Sequence, residues 1–357
     1  MLPSVMVTPL QTEANLSLLQ ISQLSASYYL SYCLLQIPAG FLNDRFPQQK
    51  ILALACFCCA IGCYSFTHYH SLLCLHLGRV LMGAGSAFAF IGILQIANKH
   101  LPEKYFPFAT GLMSSIAMAG GIFGDAIISN AASYSIPLCI GLSIFLGGLF
   151  YFSPKVERQQ AHYPPIKQWF TDCLIKDPTL LLLMGCGGLL YFPLSLFGEL
   201  WGVEFLRQHF QLNFASASKM NSLFFLGWGL GAPLMGWMAI APKRSLQLLL
   251  GSPILATVFF TLLQKSNWLP LGALPLLIFC FGFIASSQIL ILPIIKNQFP
   301  KTSQATGMAI ANMIIMGVAA IPQWLFSQDA NLGPVLLLPL VTLPLIYRFL
   351  GNNLLQN

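Results

Sequence analysis

Apolar runs separated by short polar breaks dominate the chain. A transmembrane helix needs about 20 consecutive apolar residues, and the sequence offers eleven runs of roughly that length. Glycine and proline occur within many of them, as they do in packed and bent membrane helices. The pattern predicts an all-α polytopic membrane protein with eleven complete transmembrane helices. The predicted spans are 17–42, 51–67, 72–97, 107–130, 136–153, 179–201, 218–240, 246–264, 269–295, 304–327 and 332–350.

The amino-acid composition also indicates that the chain lies in a lipid bilayer. Of the 357 residues, 56% are hydrophobic and 8% are charged, whereas a soluble domain carries about 25% charged residues. So few charges cannot form the polar shell of a water-facing globule, and so apolar a chain is not disordered. The formal net charge of +7 does not indicate nucleic-acid binding, because no stretch gathers lysine and arginine on one face. The partner predicted from composition is the lipid bilayer.

The distribution of basic residues predicts the orientation. Thirteen of the 17 basic residues lie in alternate breaks or at span ends on one side, and the positive-inside rule assigns that side to the cytoplasm. The C-terminus is therefore expected in the cytoplasm, and an odd number of spans places the N-terminus outside. The thirteen residues are Arg45, Lys50, Lys99, Lys104, Lys155, Arg158, Lys167, Lys176, Lys243, Arg244, Lys296, Lys301 and Arg348.

An internal repeat relates the two halves of the chain. A constant offset of 196 residues pairs small-residue positions that fall at corresponding places relative to the spans. This predicts duplication of a six-helix unit about an axis along the membrane normal. The pairs are Gly40 with Gly236, Gly121 with Gly317, and the Ala-Thr-Gly triplets at 109–111 and 305–307.

The repeat also predicts the domain organisation. We expect an N-terminal helical bundle over 1–153, a cytoplasmic linker over 154–178 and a C-terminal helical bundle over 179–357. The offset maps span 179–201 onto positions that precede Met1, except for the last few, which map onto residues 1–5. The first helix of the first unit is therefore expected to be truncated, with only its last residues present at 1–5.

A charged loop follows the first predicted span. It reads Gly-Phe-Leu-Asn-Asp-Arg-Phe-Pro-Gln-Gln-Lys over residues 40–50. It resembles the loop between the second and third helices of the Major Facilitator Superfamily, written G-x-L-x-D-R-x-G-R-R-x, through Gly40, Leu42, Asp44 and Arg45. The resemblance implies that Gly40, Asp44 and Arg45 form a gate. In that gate the carboxylate pairs with a base and a neighbouring helix N-terminus in one state only; an ordinary charged turn is the alternative.

Further motifs extend the resemblance over nearly the whole chain. Arg79, Gly83 and Gly85 fit the R-x-x-x-G-x-G pattern of the superfamily's fourth helix, and the second copy of the gate loop carries Ile240 where the acid would stand. Segments 3–6 and 200–206 loosely resemble bacterial transporters similar to a lysosomal dipeptide transporter branch. The resemblance implies two pseudo-symmetric six-helix bundles around a central cavity.

Four ionisable side chains stand out in the interior of predicted spans, where a charge costs roughly 2.5 to 3.5 kcal/mol at mid-helix: His76, Arg79, Asp125 and Glu199. Arg79 and Asp125 lie about 8 to 10 Å from the outer helix ends at 1.5 Å per residue, so they form either a structural ion pair or part of a transport site. In the transport reading, Arg79 attracts an anionic group while Asp125 or Glu199 accepts a proton. Glu199 lies near the outer end of its span, where contact with water is the alternative. His76 is interpreted as an interfacial histidine.

Uncharged polar side chains supply further candidates. Tyr28, Tyr32 and Gln36 share one i, i+4 stripe of the first predicted span. In the superfamily the corresponding helix borders the central cavity, which implies a ligand wall; packing against lipid or a neighbouring helix is the alternative. Four isolated polar residues of the second half serve either the cavity or helix–helix contacts. They are Tyr191, Asn221, Gln288 and Asn312.

The ten cysteines do not predict a metal site. All except Cys173 lie inside apolar runs, where cysteine is a small apolar filler. Cys56, Cys59 and Cys63 form a helical stripe, but that run contains no histidine or acid to complete a coordination shell. No metal and no other cofactor is expected.

These features predict a secondary active transporter rather than an enzyme. The expected cargo is a small polar solute, anionic or zwitterionic, such as an amino acid, a short peptide or an organic acid. It would cross by alternating access, with protons as the coupling ion. We expect a monomer in the bacterial inner membrane. The alternatives are a transport-incompetent remnant or sensor and a membrane-embedded enzyme, although the Walker, His-Glu-x-x-His and Gly-x-Ser-x-Gly motifs are absent from the sequence.

Overall fold

A computed structural model gives the structure of the protein. It describes residues 10–11, 15–68, 71–123, 129–153, 178–240, 242–265, 271–325 and 337–354. The predicted linker 154–178, apart from Pro178, lies outside these residues. So do Asp125 and the predicted helix remnant at 1–5.

The described chain is a bundle of helical rods. Thirteen α-helices occur, and short 3-10 or π segments join some of them end to end, so that they form eleven rods. The α-helices are α1 Leu18–Arg45, α2 Gln48–His68, α3 Leu72–His100, α4 Phe106–Phe123, α5 Ser129–Phe152, α6 Pro178–Leu190, α7 Gly202–Phe210, α8 Phe214–Met238, α9 Pro242–Gln264, α10 Leu274–Ala285, α11 Ile291–Lys296, α12 Gln304–Leu325 and α13 Thr342–Leu354.

The rods agree with the eleven predicted spans. By length and composition, six helical stretches within the described part are long and apolar enough to cross a membrane. The clearest difference is the sixth rod, in which the π segment Pro193–Trp201 joins α6 to α7 and carries the helix to Phe210. The sequence predicts its end at Trp201, because the charged residues that follow are too polar for a buried span. Every residue of the π segment is buried.

Side-chain caps determine where several rods begin. At α1, the Ser17 hydroxyl accepts a hydrogen bond from the Gln20 amide, and the Gln20 side chain accepts one from the Ser17 amide at 2.8 Å. At α8, the Asn213 side chain accepts a hydrogen bond from the Ser216 amide at 2.8 Å. These bonds satisfy backbone donors that have no partner within the helix.

Small residues allow neighbouring helices to approach closely. A Cβ added to Gly62 of α2 would lie 2.8 Å from the carbonyl oxygen of Gly78 in α3, and the reverse distance is also 2.8 Å. Lipid provides no hydrophobic force between helices, so close backbone contact through small residues stabilises such pairs.

Two seams join the helices before residue 153, here called the N-terminal half, to those after 178, the C-terminal half. In the first seam α1 packs on α12, and a Cβ at Gly40 would lie 2.6 Å from the Ala309 Cβ. In the second seam α4 packs on α8, where Gly236 adjoins the backbone of Pro107 and Phe108. Gly40 and Gly236, which the 196-residue offset relates, therefore occupy corresponding contacts between the halves.

The first seam is tight at one end and open at the other. A Cβ added to Gly40 would lie 2.9 Å from the Thr306 Cα, whereas a Cβ added to Gly317 meets no atom of the described residues within 4 Å. The helices α1 and α12 thus diverge with distance from the end of α1. We call the membrane face where α1 ends the Asp44 face, and the other the opposite face.

The contact at Gly40 supports a stability prediction. Gly40→Leu should destabilise the protein by about 1 to 3 kcal/mol, because the added side chain meets backbone and a Cβ that cannot move aside. Thermal unfolding in detergent measures the effect. The matched control is Gly317→Ala in the open part of the same seam, which should leave stability unchanged or raise it by up to about 1 kcal/mol. Equal effects of the two substitutions would contradict the described seam.

Candidate solute site and gate

The Asp44 carboxylate links the two halves at the end of α1. Its Oδ2 atom accepts hydrogen bonds from the Thr306 hydroxyl at 2.6 Å and the Thr306 amide at 3.1 Å, and its Oδ1 atom accepts one from the Gln95 Nε2 at 3.1 Å. Thr306 lies in the first turn of α12, where unpaired amides and the helix dipole favour a negative charge. The structure therefore places Asp44 in the kind of contact expected of a gate.

The Asp44 carboxyl lies beyond the apolar run that ends at Leu42. Burial raises the pKa of this carboxyl to about 6, and the hydrogen bonds from Thr306 and the charge of Lys99 act in the opposite direction. Burial is the larger influence, so the ionised carboxylate is held at some cost. We therefore expect the contact between Asp44 and Thr306 to change with pH around 6.

A second polar cluster adjoins Asp44 between the halves. The Lys296 ammonium donates to the Asn98 Oδ1 at 3.2 Å, and the Asn98 Nδ2 donates to the Gln304 Oε1 at 2.7 Å. Lys296 also lies 4.3 Å from the centre of the Phe106 ring, a cation–π contact. The third predicted gate residue, Arg45, lies 3.6 Å above the Phe41 ring of its own helix. The seam at the Asp44 face is thus closed by several contacts.

A cavity of about 430 Å³ lies between the two halves. Its wall is mainly apolar and aromatic, with hydroxyl, amide and carboxyl groups distributed around it, as is typical of small-molecule sites. Helices α1, α3 and α4 contribute from one half; the sixth rod, α8, the 3-10 segment Ser286–Leu290 with α11, and α12 contribute from the other. The polar and aromatic side chains in the wall are Tyr28, Tyr29, Tyr32, Ser86, Phe90, Thr110, Ser114, Tyr191, Glu199, Trp228, Gln288 and Asn312.

Glu199 is the carboxylate in the described part of this wall. It lies in the π segment of the sixth rod, is 7% exposed, and accepts a hydrogen bond from the Tyr29 hydroxyl of α1. A π segment changes the angular register of a helix and is often found at functional sites. The contact joins the halves directly through the wall of the cavity, so Glu199 is placed in the cavity and not merely at the outer end of its span.

Arg79 does not line the cavity. It is 4% exposed, its Nε donates to the Leu24 carbonyl at 3.3 Å, and its guanidinium carbon lies 4.7 Å from the centre of the Tyr28 ring. The Tyr28 and Tyr29 rings meet edge to face at 5.5 Å. Contacts therefore run from Arg79 through the two tyrosines to Glu199.

Two of the three members of the i, i+4 stripe of α1 line the cavity, and the third does not. Tyr28 and Tyr32 stack with ring centres 6.0 Å apart, and both line the cavity. Tyr32 accepts a hydrogen bond from Asn312 of α12 at 2.9 Å. Gln36, the third member, is completely buried outside the cavity wall, and its amide has no hydrogen-bond partner among the described side chains and backbone.

The other isolated polar residues have different roles. Tyr191 and Gln288 line the cavity, whereas Asn221 is completely buried and donates to the Gly198 carbonyl at 2.9 Å. Asn221 thereby ties α8 to the π segment. The His76 Nδ1 lies 2.7 Å from the Ser27 hydroxyl, away from the central cavity.

Several residues of the cavity carry no signal in the sequence. Tyr29 lies one position off the i, i+4 stripe, and only its contact with the sixth rod reveals its place in the site. Ser114 and Trp228 bond to each other across the second seam at 2.9 Å. Helical spacing within one span gives no signal for residues that meet from two halves of a chain.

The structure shows no metal centre in its described ranges. The cysteines there carry free thiols, and no group of three histidine, cysteine or acidic side chains among these residues could hold an ion.

Asn312 and Asn221 form a matched pair for a binding prediction. Asn312→Ala should weaken binding of the solute about tenfold, because it removes one hydrogen-bonding group from the cavity wall. Asn221→Ala should leave the dissociation constant unchanged and lower stability by about 1 to 3 kcal/mol, because its bond to Gly198 lies outside the cavity. Binding to the purified protein, together with thermal unfolding, measures both. The reverse pattern would contradict the assignment of the wall.

A helical membrane protein whose two halves enclose a cavity with a few polar groups in its wall, and which is tight at one face, has the architecture of a transport protein. The family model described as Major Facilitator Superfamily matches residues 1–322. The chain belongs to this superfamily: it is an integral membrane transporter and not an enzyme.

Two known proteins illustrate the relationship. A crystal structure of the E. coli fucose:proton symporter FucP superposes with a TM-score of 0.67 over 93% of this chain and 90% of that chain, at 14% sequence identity, which shows the shared fold. The voltage-gated purine nucleotide uniporter SLC17A9 of Mus musculus is 26% identical over 150 residues. That match covers 39% of this chain and 30% of the relative's length.

Proposed function

We propose that this chain is a proton-coupled secondary transporter of a small zwitterionic solute, such as an amino acid or a short peptide, and that it works by alternating access. The observation that carries the proposal is the Glu199 carboxylate in the cavity wall, hydrogen-bonded to Tyr29 of the other half. A titratable group that bridges two moving halves can couple its proton to their movement.

Proton coupling follows from the position of Glu199. The Tyr29 hydroxyl donates a hydrogen bond to the Glu199 carboxylate only while the two halves are close at that point. When they separate, the carboxylate loses this donor, and a proton from water is the simplest replacement in a site of low dielectric. Proton uptake and release at Glu199 would then alternate with the conformational cycle.

The charges around the cavity favour a zwitterion over a simple anion. Glu199 offers a carboxylate to an ammonium group, while the positive charge of Arg79 lies behind Tyr28. An anion without an amine would meet the Glu199 carboxylate directly. Hydroxyl and amide groups of Tyr32, Gln288 and Asn312 complete the polar wall. A cavity of about 430 Å³ holds an amino acid or a short peptide.

We also infer how the protein lies in the cell. The concentration of basic residues at the Asp44 face supports a cytoplasmic Asp44 face and a cytoplasmic C-terminus in a bacterial inner membrane. The bundles 1–153 and 179–357 then act as the two moving bodies, with 154–178 as the linker. The cavity lies within one chain, which supports a monomer as the functional unit.

Uptake into proteoliposomes tests the proposal. A labelled panel of alanine, dialanine, succinate and glucose is offered with and without an inwardly directed proton gradient. A purine nucleotide and fucose, the solutes in the names of the two similar proteins, serve as comparators. We expect gradient-dependent accumulation of alanine or dialanine. Accumulation of only succinate, glucose or a comparator would overturn the substrate class, and binding without flux would favour the remnant or sensor.

A further inference from the structure

A second space lies beside the central cavity, towards the opposite face. It measures about 700 Å³ and is bounded by α1, α3 and α12. Its polar groups are Gln23 and the hydrogen-bonded pair of Ser27 and His76. Leu30 and Ile321 contribute apolar surface. We call this space the crevice.

The crevice is a real separation of α1 from α12. Gly317 lies in its wall, and a Cβ added there meets no atom within 4 Å in the part of the chain that the structure describes. The same two helices touch at Gly40, where a Cβ would lie 2.6 Å from the Ala309 Cβ. The crevice is therefore the open end of a seam whose other end is closed by the contacts of Asp44.

One side chain belongs to the walls of both spaces. Tyr29 lines the crevice and the central cavity, and its hydroxyl donates to Glu199 across the gap between the halves. The neighbouring residues Met316 and Gly317 of α12 line different spaces. Met316 lines the cavity and Gly317 lines the crevice. Among the residues that the structure describes, the two spaces therefore adjoin each other at Met316 and Gly317 of α12 and at Tyr29 of α1.

We propose that the crevice is an outer vestibule that receives the transported solute, and that the Tyr29–Glu199 contact is the inner door between vestibule and cavity. The inference rests on the proposed transport function. The polar groups Gln23, Ser27 and His76 suit a small polar solute, whose carboxylate or carbonyl accepts hydrogen bonds, better than they suit a lipid chain. Breaking a single hydrogen bond opens the door, and the same break frees the Glu199 carboxylate.

Thiol labelling tests the partition without requiring transport. Single substitutions Gly317→Cys and Met316→Cys are made in the full chain, which is reconstituted in lipid nanodiscs. Each is exposed to a small, charged, membrane-impermeant thiosulfonate, and mass spectrometry measures modification at each thiol. Cys33 lines the crevice and serves as an internal reference. We expect Gly317→Cys and Cys33 to react at least tenfold faster than Met316→Cys.

Removing the door should abolish that difference. In the Met316→Cys protein, adding Tyr29→Ala should raise labelling of the cysteine at position 316 about tenfold. Adding Tyr29→Phe, which keeps the ring but not the hydroxyl, should give a smaller rise. Size-exclusion and thermal unfolding show that each variant is folded; if Tyr29→Ala does not fold, Tyr29→Phe decides alone.

Three results would overturn the proposal. The first is rapid labelling of Met316→Cys while Tyr29 is intact, and the second is no change in a folded Tyr29 variant. The third is reaction of Gly317→Cys with a lipophilic maleimide but not with the charged reagent, which would mean that lipid fills the crevice. Because labelling is measured in the resting protein, a failure of the substrate or proton proposal would leave this test unaffected.

Discussion

Glu199→Gln should lower proton-driven accumulation of the solute by roughly 100-fold or more, the scale at which loss of a proton-transfer group is felt. The amide cannot take up and release a proton, but it still accepts a hydrogen bond from Tyr29. The cavity and its closure should therefore persist. We expect exchange of labelled for unlabelled solute, which needs no net proton movement, to continue in proteoliposomes. Accumulation and exchange measured side by side separate coupling from binding.

Glu204→Gln is the matched control. Glu204 lies in the same rod five positions further on and pairs with Arg207 at 2.9 Å, outside the cavity wall. Its loss should change accumulation little, because a partly exposed i, i+3 pair contributes little. Equal losses in the two variants, or accumulation by Glu199→Gln at the wild-type level, would contradict the role assigned to Glu199.

Asp44→Ala should shift the protein towards a state open at the Asp44 face. The substitution removes the acceptor of three hydrogen bonds and leaves the Thr306 amide without its partner. A loss of roughly 2 kcal/mol corresponds to about a 30-fold change in the ratio of closed to open molecules. Hydrogen exchange in a peptide covering the start of α12 should speed up accordingly. Solute affinity should change much less, because Asp44 does not line the cavity.

The Asp44 carboxyl also gives a pH signature. Its pKa is raised from the ordinary 3.8 to about 6 in the closed gate, so protonation favours closure over an open state in which water surrounds the group. The free-energy preference for the closed state is complete below about pH 4 and is lost as the pH rises through about 6. Exchange at the start of α12 should thus slow as pH falls from 7 to 5, after correction for intrinsic rates. Asp44→Asn should abolish this dependence while keeping an acceptor for Thr306. A pH response that survives in Asp44→Asn would contradict the assignment.

The spans were predictable because hydrocarbon imposes a strict rule on sequence. Each segment must satisfy its own backbone and present apolar side chains over about 20 residues, and such runs are visible directly. The sixth rod was predicted less well. A π segment buries Glu199 and lets the helix continue into a charged stretch that a hydropathy argument assigns to a loop.

The candidate gate residue Asp44 was recognisable for a different reason. Asp44 follows a short motif with fixed spacing at the end of a span, so one sequence suffices to find it. Tyr29 and Glu199 carry no such pattern. They meet because two distant rods pack against each other, and neither helical period nor composition reports which faces of two rods are in contact.

Arg79 lies at a different place from the one that the sequence suggests for it. A guanidinium within a predicted span requires a partner, and that much follows from sequence. The structure places the guanidinium against Leu24 and Tyr28, outside the cavity wall. In the proposed transporter, Arg79 would act on a solute at a distance through Tyr28 rather than by direct contact with a carboxylate.

Proton movement that accompanies solute movement tests proton coupling through Glu199. Proteoliposomes loaded with a pH-sensitive dye receive alanine or dialanine from outside, at equal pH on both sides and with potassium and valinomycin to hold the membrane potential at zero. If Glu199 carries the coupled proton, the lumen should acidify with wild-type protein and not with Glu199→Gln. Labelled solute should still exchange in both. Solute uptake by the wild type without any change in lumenal pH would contradict this coupling.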